Sequence, residues 1–296
     1  MKKTLLATTL LVATAGLAAA EVNLSGSGRF GVIYGKLGPL SDTIVDTRLT
    51  INVDAKMETD GGVTFGGRIR FRHNDGADGT IGSNALLYME TSGLRVEVGN
   101  ANGAYDSAGL IWNSEIGYTD SSFGDPIAKY IGYFESVPAS GSGRFMGIFA
   151  SYSMGDFTAR VSYHDYDQTV SGNTETSVSV DYASGAFAVS AAYVSSEYTG
   201  RDNHFIGAQY TIGDSTNVGL LYNDGDNGRS VTLYGNHTMA SGLTVAGYLT
   251  DIEGASDTAL GLGASYPLGG GAAIKGAYHT FGSNVAMADL GVTFSF

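Results

Sequence analysis

The 296-residue chain has no cysteine, only four prolines and a single tryptophan. Without cysteine there can be no disulfide, no thiol nucleophile and no zinc–thiolate site. Beyond its start, no segment approaches the roughly 20 uninterrupted apolar residues that a membrane helix needs. Charge is sparse, at 15% of residues, and the balance is acidic at a formal −13, which argues against nucleic acid as a partner. Glycine, by contrast, numbers 44 and tyrosine 18, a composition suited to many strands and tight turns rather than to helices.

Residues 1–20 read as a cleaved secretory signal peptide. Lys2 and Lys3 make a basic start, "TLLATTLLVATAGLA" is an apolar run, and Ala18-Ala19-Ala20 offers an A-x-A cleavage site before Glu21. An uncleaved anchor is the alternative, but the run is short for a span and no stop-transfer charges follow it. The expected mature unit is therefore one domain, 21–296, exported from the cytoplasm. Removing the two lysines takes its charge from −13 to −15.

Along that unit apolar and polar residues alternate at period two, the mark of strands with two unlike faces. In the first strand Val22, Leu24, Phe30, Val32 and Tyr34 oppose Asn23, Ser25, Ser27 and Arg29; in the last, Leu290, Val292, Phe294 and Phe296 oppose Asp289, Thr293 and Ser295. Sixteen such strands are expected, near 22–34, 46–57, 62–73, 84–91, 94–99, 144–154, 157–166, 175–183, 186–196, 203–212, 216–224, 229–239, 242–251, 257–267, 271–281 and 286–296. The facing of 84–91, "NALLYMET", is left open by its pattern. Short turns such as Ser92-Gly93, Gly155-Asp156 and Ser184-Gly185 alternate with longer polar loops.

An even strand number with unlike ends is the layout of a closed antiparallel transmembrane β-barrel. About ten residues per strand at 3.3 Å, tilted near 40°, rise roughly 25 Å, the height of the apolar band of such barrels. Closure follows because lipid offers no hydrogen bonds to a free sheet edge. A soluble sandwich would use the apolar face as its core. It has no need of two tyrosine belts, yet Tyr152, Tyr182, Tyr210 and Tyr266 fall at strand ends leading into short turns, and Tyr163, Tyr193, Tyr222 and Tyr278 at ends leading into long loops.

The first strand "VNLSGSGRFGVIY", the terminal "VTFSF" and the leader together resemble a general-diffusion porin of the Gram-negative outer membrane, of the sixteen-stranded purple-bacterial type. The resemblance implies passive passage of small hydrophilic solutes and ions, no enzymatic activity, and a third loop folded into the lumen. It implies a homotrimer in a bilayer with lipopolysaccharide, reached through the periplasm, and a terminal Phe296 read by the barrel-assembly machinery. Girdle tyrosines are nearly absent from the N-terminal strands, so that wall is expected to face neighbouring subunits, with Ile51 and Ile69 in the contact.

Between Asn100 and Gly143 the alternation stops, longer than an ordinary connection. Leu110, Ile111, Trp112, Ile116, Phe123, Ile127 and Phe134 give the segment too much apolar mass for a solvated tail. Its acids are Asp106, Glu115, Asp120, Asp125 and Glu135, against Lys129 alone. Elsewhere "GGRIRFRH" alternates Arg68, Arg70 and Arg72 with apolar residues. Like charges about 6.6 Å apart repel by about 0.6 kcal/mol in water and about 2.5 kcal/mol at an effective dielectric near 20, so carboxylates are expected opposite them. Eight of the mature unit's fourteen Lys and Arg residues fall between Arg29 and Arg95. We therefore expect a constriction between a basic wall, Arg29, Arg48, Arg68, Arg70 and Arg72, and an acidic loop, chiefly Glu115, Asp120 and Asp125, with Arg72 the least engaged.

Weaker signals remain. "YNDGDNGRS" (Tyr222–Ser230) and "NDGADGT" (Asn74–Thr80) resemble pieces of calcium loops, but Asp-Gly and Asn-Gly pairs also serve hairpin turns, so calcium stays a minor alternative beside no cofactor. His73, His164, His204, His237 and His279 show no metal spacing, and no nucleophile motif supports a barrel hydrolase. Tyr234 and Tyr248 are too few lumen-phase aromatics for a solute-specific slide.

Overall fold

The computed structural model describes residues 20–74, 80–125, 145–197, 199–225 and 228–296. The expected leader, apart from Ala20, lies outside them. So does the second half of the long loop with Ile127, Lys129, Phe134 and Glu135, as do parts of both calcium-like stretches.

Seventeen strand segments run in chain order: β1 (Glu21–Leu37), β2 (Leu40–Glu58), β3 (Thr64–Asn74), β4 (Thr80–Gly82), β5 (Leu86–Thr91), β6 (Leu94–Gly99), β7 (Met146–Met154), β8 (Phe157–Asp165), β9 (Thr174–Ser184), β10 (Phe187–Ser196), β11 (Arg201–Ile212), β12 (Thr216–Gly225), β13 (Gly228–Thr238), β14 (Thr244–Ile252), β15 (Ala259–Gly269), β16 (Ala272–Phe281) and β17 (Val285–Ser295). All pairings are antiparallel, and β1 pairs with both β2 and β17, so the sheet has no edge. The last residue helps to close it: Gly26 N donates to Phe296 O at 2.9 Å and Phe296 N to Gly26 O at 3.0 Å.

Segments β4 and β5 both pair with β3, Arg72 opposite Ile81 and Arg68 opposite Leu86. They are two pieces of one strand broken at 83–85, and the barrel therefore has sixteen strands. Ser83 spans the break, its amide donating to Arg70 O at 2.7 Å and its hydroxyl accepting from Arg70 N at 3.0 Å. The ambiguous facing of this stretch has a physical cause. Leu87 points outward, whereas Leu86 points inward and packs on Ala101, Ala104 and Phe149 at the root of the long loop. Both faces are apolar there, so no dyad appears.

Elsewhere the dyad sorts as expected. Val32, Leu49, Ile69, Val180, Leu220 and Leu262 are exposed on the outer wall, while Thr50, Ser177, Ser190, Thr232 and Thr250 are buried on the inner one. Aromatic pairs sit outside next to the short turns, Phe157 on Tyr182 at 4.6 Å and Phe187 on Tyr210 at 4.7 Å between ring centroids. The first connection differs from expectation. Residues 35–45 continue both strands, Ile33 pairing with Ile44 and Leu37 with Leu40, and the chain reverses at Gly38-Pro39 with Gly38 at φ 60°. Polar residues such as Asp42 and Ser41 mark a hairpin extending past the membrane band, not a loop.

The outward face should tolerate no charge at membrane depth. Leu220→Arg, in the middle of β12, should cost about 2–4 kcal/mol in denaturant titrations of protein in lipid vesicles; a cost near zero would mean that this wall does not meet lipid.

Candidate functional site

A loop placed inside a barrel must satisfy its own backbone groups. From Gly103 to Ser121 the chain winds through successive tight turns, Ser107 N to Gly103 O, Ala108 N to Tyr105 O, Ile111 N to Ala108 O, Asn113 N to Leu110 O and Glu115 N to Trp112 O, at 3.0–3.2 Å. A two-way bridge between Ile116 and Ser121 then closes a tip, 117–120. Gly117 at φ 83° and Asp120 at φ 50° make that reversal.

Amides the turns leave over are taken by side chains of the barrel wall. Ala104 N donates to Ser162 Oγ at 2.9 Å, Tyr105 N to Ser177 Oγ at 3.0 Å and Gly109 N to Asp181 Oδ1 at 2.9 Å. Further on, Tyr118 N donates to Asp289 Oδ1 at 3.0 Å and Phe123 N to the Tyr248 hydroxyl at 2.9 Å. Each is worth about 0.5–1.5 kcal/mol net, and a buried amide left without a partner costs about 1–3 kcal/mol.

Apolar residues add to this. Tyr105, Leu110, Ile111 and Ile116 are buried in one cluster with Val194, Phe205, Leu221, Tyr234, Tyr248 and Ala277 of the wall. Close approach depends on glycine at the wall: a methyl group at Gly207 would lie 3.0 Å from Leu110 Cβ. Tyr234 and Tyr248, cross-strand partners, are thus loop anchors rather than solute contacts, with Asn113 Nδ2 donating to the Tyr234 hydroxyl at 3.3 Å.

Taken in order, these contacts run from β8 and β9 through β11 and β13 to β14, β16 and β17. The described half of the loop lines that side of the lumen and leaves the β1–β3 wall facing it. Between them lies a cavity of about 490 Å³, with Arg29, Arg48 and Arg72 on the wall side and Asp106, Trp112, Glu115 and Asp120 on the loop side. A second, of about 270 Å³, joins the same three arginines to Asp120 and Lys275. The structure thus brings Glu115 and Asp120 together with Arg29, Arg48 and Arg72.

Arg68 and Arg70 line neither cavity. The three arginines of β3 face Asp54, Asn52 and Thr50 of β2 in register, and Nε donates to each, at 2.7, 2.8 and 3.1 Å for Arg68, Arg70 and Arg72. The carboxylate opposite Arg68 is therefore a strand neighbour and not the loop. Among the described residues Arg72, not Arg68 or Arg70, shares the cavities with the loop acids, contrary to the sequence expectation, because strand direction carries Arg72 toward the end from which the loop enters. Arg29 donates to Asp46 at 3.0 Å and to Thr119 O at 3.2 Å. Asp125 lies behind the tip, accepting from Ser122 N at 3.2 Å.

Lys275 was not among the sequence candidates, yet it donates to Asp120 Oδ1 at 3.1 Å. It is the lone charge of its strand, and only its inward phase, shared with His279, could have pointed to it. Among the described residues no group of three or more Asp, Glu or His side chains is placed to hold a metal ion.

A scan against family models matches residues 7–293 to the Gram-negative porins. The chain belongs to that family. It is 39% identical to a porin of Fuscovulum blasticum over 93% of its own length and 100% of the relative's. It is also 26% identical to a porin of Rhodobacter capsulatus at the same coverage. A solved triple mutant of Rhodopseudomonas blastica porin, 37% identical, superposes with a TM-score of 0.87 over 93% of this chain and 100% of that one. The porin is thus a pore-forming barrel of the bacterial outer membrane.

Two of the loop acids titrate unusually. Burial, with Asp125, Asp120 and Asp106 nearby and only Lys275 opposing, pushes Glu115 up to about 8, and burial pushes Asp125 up to about 7. Between the ordinary carboxylate value of 4.5 and about 8, the docked loop holds the Glu115 proton more tightly than a free one would. Docking is therefore favoured at low pH and weakens as pH rises through that window. Each ionisation also adds negative charge to the lumen. Raising the pH from 6 to 9 should shift the reversal potential under a KCl gradient toward cation preference, and Glu115→Gln should remove the upper part of the shift; a flat profile would contradict this assignment.

Proposed function

We propose that the porin passes small hydrophilic solutes and ions by passive diffusion through a constriction between Arg29, Arg48 and Arg72 on the wall and Asp106, Glu115 and Asp120 on the loop. The observation that carries this reading is the charge-divided cavity beside the wall-anchored loop. Opposite charges on two sides of a water-filled gap maintain a field across it. Water and small polar solutes reorient in such a field, whereas apolar solutes lose favourable water contacts, and the charges with the free radius decide what passes. Nothing in this scheme requires a cofactor, an energy source or a catalytic group, and calcium has no assigned role in it.

The reading extends to assembly. The outer wall at β2, β3 and β5 carries an apolar notch of about 510 Å³ lined by Val53, Met57, Phe65, Ile69 and Leu87 and bare of tyrosine. This supports a homotrimer packed through the N-terminal wall, with the other walls toward lipid and lipopolysaccharide. Phe296, exposed at the end of the closing strand, suits a signal read by the assembly machinery after export by a cleaved leader.

Two experiments test these statements. Replacing Arg48 and Arg72 together by serine should shift planar-bilayer reversal potentials toward cations by more than the pair Arg68→Ser and Arg70→Ser; equal shifts would move the constriction away from the cavity. Cysteines introduced as Ile51→Cys and Ile69→Cys should cross-link subunits, and reaction with lipid-borne probes alone would refute the trimer wall.

A further inference from the structure

The tip of the loop is built onto the seam where the last strand meets the first. Gly31 of β1 and Gly291 of β17 are register partners, and both face the lumen. Tyr118, fully buried, lies in the slot they leave: a methyl group at Gly31 or Gly291 would come within 2.9 or 2.8 Å of its ring. Two residues from each glycine on the same face stand Arg29 and Asp289. The Arg29 guanidinium lies 5.7 Å from the Tyr118 ring centroid and donates to Thr119 O. Asp289, buried on the inner wall, accepts from Tyr118 N at 3.0 Å and from Thr119 Oγ1 at 2.5 Å. A side chain at Gly117 would run into the same carboxylate.

We propose that Asp289, with the Gly31–Gly291 slot, is the positioning device that sets the width and charge of the pore by latching the tip 117–120 to the closing seam. The proposal rests on the pore reading above. Two consecutive tip residues are fixed by one carboxylate, and the tip carries Asp120, which lines both cavities. The slot is incomplete until β17 has paired with β1. The narrow, charge-divided passage is therefore completed by the event that closes the barrel, and a barrel with an open seam cannot hold the tip in this place. Apolar shape and a charge-assisted hydrogen-bond pair act together here, and such bonds are roughly twice as strong as neutral ones.

The test compares Asp289→Ala with two loop variants, Thr119→Val and Tyr118→Ser, which leave every strand unchanged and so carry the test even where the strand variant fails to insert. The readouts are single-channel conductance, the sugar size limit in liposome swelling, the reversal potential, and iodide quenching of Trp112, the sole tryptophan. Release of the latch should raise conductance, admit sugars that the native pore excludes, shift the reversal potential and increase quenching, with the strand signal in far-ultraviolet circular dichroism unchanged. Thr119→Val combined with Asp289→Ala should add little to Asp289→Ala alone, because the Thr119 hydrogen bond is already lost there. Folded variants with native conductance, size limit and quenching would overturn the latch. A native chain that conducts nothing would instead sink the pore reading, while Trp112 quenching would still decide the latch.

Discussion

Backbone amides and carbonyls that leave water must find partners, and this one requirement is met twice in the barrel. Against lipid it is met by closure: every strand has two neighbours, and β1 and β17 join so that no edge remains. Inside, it is met by lumenal side chains. Ser162, Ser177, Asp181, Tyr248 and Asp289 accept hydrogen bonds from loop amides that no strand neighbour could serve. The polar inner face is therefore a docking surface as well as a wetted wall, and the free passage is what the docked loop leaves over.

That division explains how charge is distributed. The chain is acidic overall, yet half of its Lys and Arg fall between Arg29 and Arg95, and Asp106, Glu115 and Asp120 of the loop stand across a cavity from Arg29, Arg48 and Arg72. Most wall arginines are braced before they meet the lumen. Asp46, Asp54, Asn52 and Thr50 accept from Nε of Arg29, Arg68, Arg70 and Arg72, holding each guanidinium along the wall. Bracing lowers the repulsion among like charges and keeps long side chains from collapsing into the passage. On the loop, burial and neighbouring carboxylates raise Glu115, and burial raises Asp125. One side of the passage thus holds a fixed charge and the other a titratable one.

Much of this was legible in the sequence, for reasons that also mark where legibility ends. Alternation reports which face meets lipid, because Leu220 and Leu262 cannot exchange faces with their neighbours without placing polar groups in hydrocarbon. The long loop was legible from its broken period and its apolar mass. Contacts between distant strands were not. Gly31 and Gly291 each look like an ordinary small lumenal residue until register places them together, and Asp289 or Asp181 alone on an alternating strand reads as a solvated lumen charge. Leu86 hid the facing of its strand by packing inward under the loop root. Arg72 falls near the strand end in sequence, and alternation alone does not say which end of the strand the loop covers.

The account stands on the loop's amides being held by the wall. Amide hydrogen exchange of the reconstituted porin measures this directly. Ala104, Tyr105, Gly109, Tyr118 and Phe123 should exchange far more slowly than an unstructured chain, because each donates to a barrel side chain. Exchange of all five at the unprotected rate, in a barrel whose strand amides stay protected, would show that the loop does not lie along the wall and would contradict the account.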